Sequence, residues 1–237
     1  DPASGELVID KVSSAERGSA APILQGIERI VAKAGVGKGD IALFVHGFTV
    51  ATNAFLMRNG SRCALVVTDG FRDLLEIGDQ MRPRLYSLTQ SKPDAVVPRS
   101  RVAEAVAALQ PEAVAVCLNF AHLNAAHEAL LRDALAARLP GVPIYLSSEV
   151  NPQIEEYPRA NTTAVAAYVG PIVDRYVTQL EGDLAGNKVT APLLLMRSDG
   201  GVATPRAARH NPAHMLLSGP AGGVIAGQHL GRQLGVA

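Results

Sequence analysis

The sequence predicts an α/β protein built on a largely parallel sheet. Three observations carry that expectation. Short runs of β-branched and apolar residues alternate with longer segments of helical apolar spacing, the pattern of strands joined through covering helices. Apolar residues make up 48% and charged residues 19% of the 237, enough to bury a sizeable core and too apolar for a disordered chain. Cys63 and Cys117 each lie inside such an apolar run, "RCALVV" and "AVAVCL", where a small thiol packs as a buried core residue, with a disulfide or metal pair as the alternative.

Taken in order, strands are expected at residues 7–12, 41–45, 63–68, 113–118, 144–146 and 193–196, each a short apolar run bounded by polar or turn residues. Between them, residues 21–34 place Ile23, Leu24, Ile27, Ile30 and Val31 at helical spacing, and residues 125–139 do so with Leu130, Leu131, Leu135 and Leu139. The longest helical stripe spans 162–184 and includes Val165, Val169, Val173, Tyr176, Val177 and Leu180; Pro171 is expected to kink or interrupt it. Residues 81–101 hold three prolines and five basic residues with weak periodicity, which predicts a long surface connection. No internal repeat or low-complexity tract interrupts this order.

Lysine plus arginine (22) balance aspartate plus glutamate (22), so no overall field steers the chain to nucleic acid or an anionic membrane. No apolar run reaches the roughly 18 residues of a membrane span. The start, "DPASGELVIDK", has no basic region followed by an apolar stretch, and a cytoplasmic location is expected. Its first residue is not methionine, which points to something upstream missing or removed.

In open α/β sheets ligands bind beyond the carboxyl ends of strands, and three turns qualify. In "VHGFTVATNA" a strand ends at Val45, His46 and Gly47 turn the chain, and Thr49, Thr52 and Asn53 begin a helix. Such a start suits an anion or carbonyl oxygen, or else Thr49 or Thr52 only caps the helix while His46 satisfies a buried backbone group. In "LLLMRSDGG", Ser198, Asp199, Gly200 and Gly201 follow a strand; the glycines let backbone amides approach a ligand and the carboxylate could lie near a metal, or the segment is a plain Asp-Gly turn. In "LSGPAGGV", a strand-like run at residues 215–217 precedes Gly219, Pro220, Gly222 and Gly223, which lead into a helix-like run. That spacing is not a phosphate-loop motif, nor a good Rossmann fingerprint.

Other candidates are weaker. In "FAHLNAAHE", His122 and His127 are five apart, where a helical zinc site needs four, with Asn124 and Glu128 nearby. Glu149, Glu155 and Glu156 could form an acid/base pair across a cleft or be solvated loop carboxylates.

Together these phrases resemble the hydantoinase/oxoprolinase family. "HGFTVATNAFLMRNGSRCALVVTDGFRDLLEIGDQMRPRLYSL" is similar to its His-Gly-Thr-Thr-Val-Ala-Thr-Asn-Ala block and the Gly-Phe-Arg-Asp and Arg-Pro-x-Leu-Tyr signatures after it. "AVAVCLNFAHLNAAHE", "LSSEVNPQIEEYPRANTTAVAAYV", "LLLMRSDGG" and "LSGPAGGV" follow in the family's order. The resemblance implies an actin-like ATPase (ribonuclease H-like) fold, with this chain as most of the first α/β domain of a larger two-domain enzyme whose two phosphate loops lie before Asp1 and after Ala237. It implies ATP with magnesium as cofactor, no identified metal ligand, and a second subunit or homo-oligomer as partner. The activity implied is opening of a small cyclic amide of the hydantoin or 5-oxoproline type through a phosphorylated intermediate; an ATP-dependent ketone carboxylase subunit, or a non-catalytic partner-binding domain, is the alternative. His46, Thr49, Thr52 and Asn53 are then expected near substrate or phosphate, and Ser198, Asp199, Gly200, Gly201, Ser218, Gly219 and Gly222 along the nucleotide cleft.

Departures from the family pattern touch the same segments. Phe48 stands where threonine is usual and Asp199 where asparagine is usual; Pro158, Ala160 and Asn161 replace the usual neighbours of Arg159; Ala125 and Ala167 replace a proline and an asparagine. A strand-and-turn segment usual after "VPRSR" is missing.

Overall fold

The computed structural model describes residues 7–13, 21–81, 86, 92–102, 107–233 and 235. Its strands are β1 (Phe44–His46), β2 (Cys63–Val67), β3 (Ala113–Cys117), β4 (Ile144–Leu146), β5 (Leu193–Met196) and β6 (Val202–Ala203). The α-helices are α1 (Ala21–Ala34), α2 (Val50–Leu56), α3 (Leu74–Ile77), α4 (Ala126–Arg138), α5 (Ser147–Val150), α6 (Glu156–Gly186), α7 (Pro205–His210) and α8 (Ser218–Gln233). The α/β class and five of the six expected strands are present, in two three-stranded sheets instead of one. The first has order β2-β3-β4 and is parallel throughout; the second has order β1-β5-β6, with β1 and β5 parallel and β6 antiparallel.

Strand alternation divides the first sheet between two helices. Cys63, Leu65, Ala113, Ala115 and Cys117 face the core that α6 enters, while Ala64, Val114, Val116 and Leu146 meet Leu131 and Leu135 of α4 and Leu139 just beyond its end. The small side chains Ala113 and Ala115 oppose Ala160, Ala164 and Ala167, which lets sheet and helix approach closely. Both cysteines are buried free thiols, and desolvation pushes Cys63 up to about 12.

Helix α6 is the common spine. Its start touches the carboxyl end of β3 and its Tyr168 carbonyl accepts from Ser61 N–H, just before β2, so it runs antiparallel to that sheet. Farther along, Tyr176 meets His46, and Leu180 and Leu184 pack with Phe44, Leu193 and Ile27 of α1. Every residue from Thr163 to Gly170 is buried, as in a helix covered on all sides. The helix passes through Pro171 without a break and begins at Glu156, six residues earlier than its apolar stripe predicts. A proline costs an internal helix about 3 kcal/mol, and packing on both sides of Pro171 offsets it.

Other expectations fail for identifiable reasons. Residues 7–12 form no strand; the segment lies against α1, where Asp10 pairs with Arg29 at 2.6 Å, and Leu7 and Ile9 stay exposed. A strand needs a neighbour for its backbone groups, and this segment pairs with no other among the described residues. The run at residues 215–217 forms no strand: Met215, fully buried, ends a 3₁₀ turn, Pro212–Met215, and Leu216 and Leu217 turn into α8. Of the surface connection at 81–101, residues 82–85 and 87–91 lie outside the described residues, yet Val97 is fully buried in the core.

Candidate functional site

Because β1 and β5 run parallel with Phe44 opposite Leu193 and His46 opposite Leu195, the turns leaving them emerge at the same end. The start of α8 is drawn to that end by two hydrogen bonds. Leu217 N–H donates to Thr52 Oγ1 at 2.8 Å, and the fully buried Ser218 donates its hydroxyl to the Phe48 carbonyl at 2.7 Å. The three turns singled out in the sequence thus meet in one place, although residues 47 and 218 are far apart in the chain.

The first turn divides its residues between inside and outside. His46 ends β1 within the strand and points inward: Nε2 lies 2.7 Å from Tyr176 Oη, and the ring stacks on Phe44, Phe48 and Tyr176. Burial lowers its pKa to about 4, so it is neutral at pH 7, while burial raises Tyr176 to about 12. Its partner is a side-chain hydroxyl, not the buried backbone group that was the alternative expectation. Thr52 is buried on α2. Thr49 and Asn53 are exposed, with Asn53 Nδ2 donating to Thr49 Oγ1 at 3.4 Å.

The second turn is a hairpin between β5 and β6. Arg197 N–H donates to the Gly201 carbonyl at 2.9 Å, and Gly200 adopts φ +84°, a backbone state glycine enters without strain. Asp199 Oδ1 accepts from Gly201 N–H at 2.9 Å, and Oδ2 pairs with Arg197 Nη2 at 2.7 Å. The Gly201 N–H, with help from Arg197, holds this carboxyl below its usual range. Ser198 is exposed, and its N–H donates to the His214 carbonyl at 2.8 Å. His214 is lowered by burial first and by Arg197 second.

In the third segment Gly219, Pro220, Gly222 and Gly223 lie inside the first turns of α8, where the sequence reading put them ahead of a helix. The ties at Leu217 and Ser218 set the helix start upstream of the glycines. A β-carbon on Gly219 would lie 3.0 Å from Thr49 Cγ2, and one on Gly47 or Gly222 would lie 3.5 or 3.6 Å from Met196. Glycine therefore lets α8 and the first turn close on each other across the end of β5.

Sequence reasoning missed Tyr176, Arg197 and His214 here; Tyr176 was visible only as a member of an apolar stripe. A second polar centre lies at the carboxyl end of β3 and includes His122 and Glu128, which the sequence offered only as weak metal candidates, together with Arg159. Glu128, fully buried, accepts from Leu118 N–H, Ser147 Oγ, Ser148 N–H and Ser148 Oγ. Arg159, also fully buried, donates to the carbonyls of Leu118, Gln153 and Ile154 and to His122 Nδ1. These bonds pin the loops after β3 and before α6. His127 is exposed, and among the described residues no three His, Cys, Asp or Glu side chains are grouped to hold a metal. Glu149 is engaged by Arg132 at 2.7 Å and Glu156 lies 3.5 Å from Arg159, so neither forms a carboxylate pair. An open groove of about 650 Å³ runs beside β4, lined by Glu112, Tyr145, Asp174 and Arg209 among others, and includes none of the three turns.

Comparison with known proteins gives the family. The hydantoinase/oxoprolinase N-terminal region matches residues 1–112, and the hydantoinase/oxoprolinase region matches residues 159–237. The chain belongs to the hydantoinase/oxoprolinase family. It is 31% identical over 221 residues to 5-oxoprolinase 1 of Arabidopsis thaliana, which covers 76% of this chain and 17% of that protein. It is 30% identical over 224 residues to caprolactamase subunit alpha of Pseudomonas jessenii, covering 83% of this chain and 32% of the subunit. The crystal structure of the ATP-dependent caprolactamase from that organism superposes with a TM-score of 0.81 at 28% identity, over 98% of this chain and 38% of the other. A nucleotide-free acetone carboxylase shares the fold, with a TM-score of 0.83 at 20% identity, over 94% of this chain and 37% of the other. This chain thus spans a third or less of the two curated relatives' length.

Proposed function

We propose that the chain forms one wall of an ATP-binding cleft in an ATP-dependent amide hydrolase, as most of the first domain of an actin-like, two-domain enzyme. The observation that carries this reading is the meeting of the three family segments at the carboxyl ends of β1 and β5, joined by the Thr52 and Ser218 hydrogen bonds. ATP-dependent caprolactamase and 5-oxoprolinase 1 as relatives support an amide-opening reaction on a small cyclic amide.

Amide resonance makes the carbonyl carbon a poor electrophile. ATP would supply a phosphoryl group to the amide oxygen with release of ADP; water would then add to the activated carbon and the C–N bond break with nitrogen leaving as the amine, a second water freeing the carboxylate and inorganic phosphate. This chain's residues hold and orient. Gly47, Gly219 and Gly222 let the start of α8 close on the first turn, which fits a phosphate lying at that helix start. Thr49, Asn53 and Ser198 offer exposed polar groups at the same end. His46, neutral and tied to Tyr176, anchors the end of β1 beneath them. A magnesium ion would be held through the nucleotide's phosphates, since Asp199, the one carboxylate on these three turns, is already engaged by Arg197 and the Gly201 N–H. A cytoplasmic setting and a partner subunit complete this reading.

The test is substrate-stimulated ATP hydrolysis by the full-length enzyme with 5-oxoproline, hydantoins and caprolactam. Stimulation by a cyclic amide is expected; its absence with every cyclic amide overturns the reading. The acetone carboxylase likeness favours a second reaction class, and ATP-dependent incorporation of labelled bicarbonate into a ketone would establish that instead.

A further inference from the structure

We propose that Arg197 is an anion-recognising residue of this cleft, kept in place by Asp199 until a phosphate group takes over one edge of its guanidinium. The inference rests on the nucleotide reading and adds to it a residue, a charge and a direction of effect.

Arg197 is the first residue beyond β5, at the end where the three turns meet. About a third of its side chain is exposed. Nη2 is bound to Asp199 Oδ2, whereas Nε is buried and has no hydrogen-bond partner among the described residues. A guanidinium presents its donors as a rigid fork, and leaving one of them buried and unpaired costs more than its net bond would have contributed. Arg197 is therefore an incompletely satisfied cation, and phosphate is the group whose oxygens match the fork two at a time.

The surrounding charges point the same way. Asp199 is the carboxylate bound to Arg197, and its other oxygen is already held by Gly201 N–H. It would keep a partner if the guanidinium turned toward a ligand. His214, the other titratable group against this pair, is kept below the usual histidine range by burial first and by Arg197 second. Arg197 and Asp199 cancel in the free protein. An arriving polyphosphate meets one attractive charge and one repulsive charge, and their separate removal must move affinity in opposite directions.

That opposition is the test. Affinity for ATP, for tripolyphosphate and for adenosine is measured by calorimetry on the full-length enzyme and its R197Q, R197K, D199N and R197Q/D199N variants. Loss of a charge-assisted contact is expected to weaken ATP and tripolyphosphate binding about tenfold or more in R197Q. R197K should lose less, D199N should bind both ligands at least as tightly as wild type, and adenosine binding should stay within twofold throughout. The adenosine measurement also detects a variant that fails to fold. R197Q binding ATP within twofold of wild type overturns the inference and leaves the nucleotide reading intact. D199N losing as much as R197Q also overturns it, since that marks a pair that only closes the hairpin or a carboxylate that holds the metal. A wild-type enzyme that binds no ATP overturns both.

Discussion

His46 illustrates how a residue picked for chemistry can owe its state to packing. Its ring is enclosed by Phe44, Phe48 and Tyr176, and desolvation alone brings its pKa from 6.5 to about 4. In the unfolded chain the imidazole takes a proton near pH 6.5; in the folded chain it resists until about pH 4. Its contribution is complete above pH 6.5, is lost as pH falls through that window, and changes no further below it, on the order of 3 kcal/mol in all. Replacing His46 with Gln keeps a polar group for Tyr176 without the titration. Denaturant melts from pH 7 to 4 should then show a flatter decline than wild type, and equal slopes would refute this account. The adjacent sequence displayed the histidine at a strand end, but Tyr176, 130 residues away, was legible only as one more position on an apolar stripe.

At the scale of elements, glycines mark where backbones approach. A β-carbon on Gly170 of α6 would sit 2.0 Å from the Tyr145 hydroxyl oxygen, inside any real contact. Gly170→Ala should therefore destabilise the protein by roughly 2 kcal/mol or more despite alanine's better helix propensity, because Tyr145 is buried and must move. Urea denaturation checks the sign; a stabilised variant would contradict the packing. Thr52→Val and Ser218→Ala each remove one tie between the turn and helix after β1 and the start of α8, at about 1 kcal/mol apiece. Since both ties hold the same two segments, the double variant should cost measurably less or more than the sum, and strict additivity in a double-mutant cycle would mean that they act separately. The helices of residues 21–34 and 125–139 were readable from apolar period alone, because their faces bury against neighbours at regular spacing. The start of α8 was not, since glycines and a proline signal a loop unless something outside the segment holds them helical. Here the Ser218 and Leu217 bonds do so. Arg197 escaped for a similar reason: its meaning comes from Asp199 across a hairpin and from a donor left without a partner.

For the molecule as a whole, alternation of strand and helix gave the class, while the division into two sheets was hidden, because strand partners are chosen by distant residues. Helix α6 joins the two. Arg159 near its start reaches the carboxyl end of β3, and Tyr176, roughly 25 Å farther along the axis at 1.5 Å per residue, reaches the end of β1. Each sheet buries one face against it: Ala164 to Val177 lie in one cluster, Leu180 and Leu184 in the other. Two sheets of three strands would otherwise be two weakly stable pieces, each free to open by itself. Threaded on one buried helix, they lose their independence, and an opening large enough to free either sheet must expose the helix that the other depends on. The carboxyl end of β1 and the buried arginine at β3 thereby share a single cooperative fate.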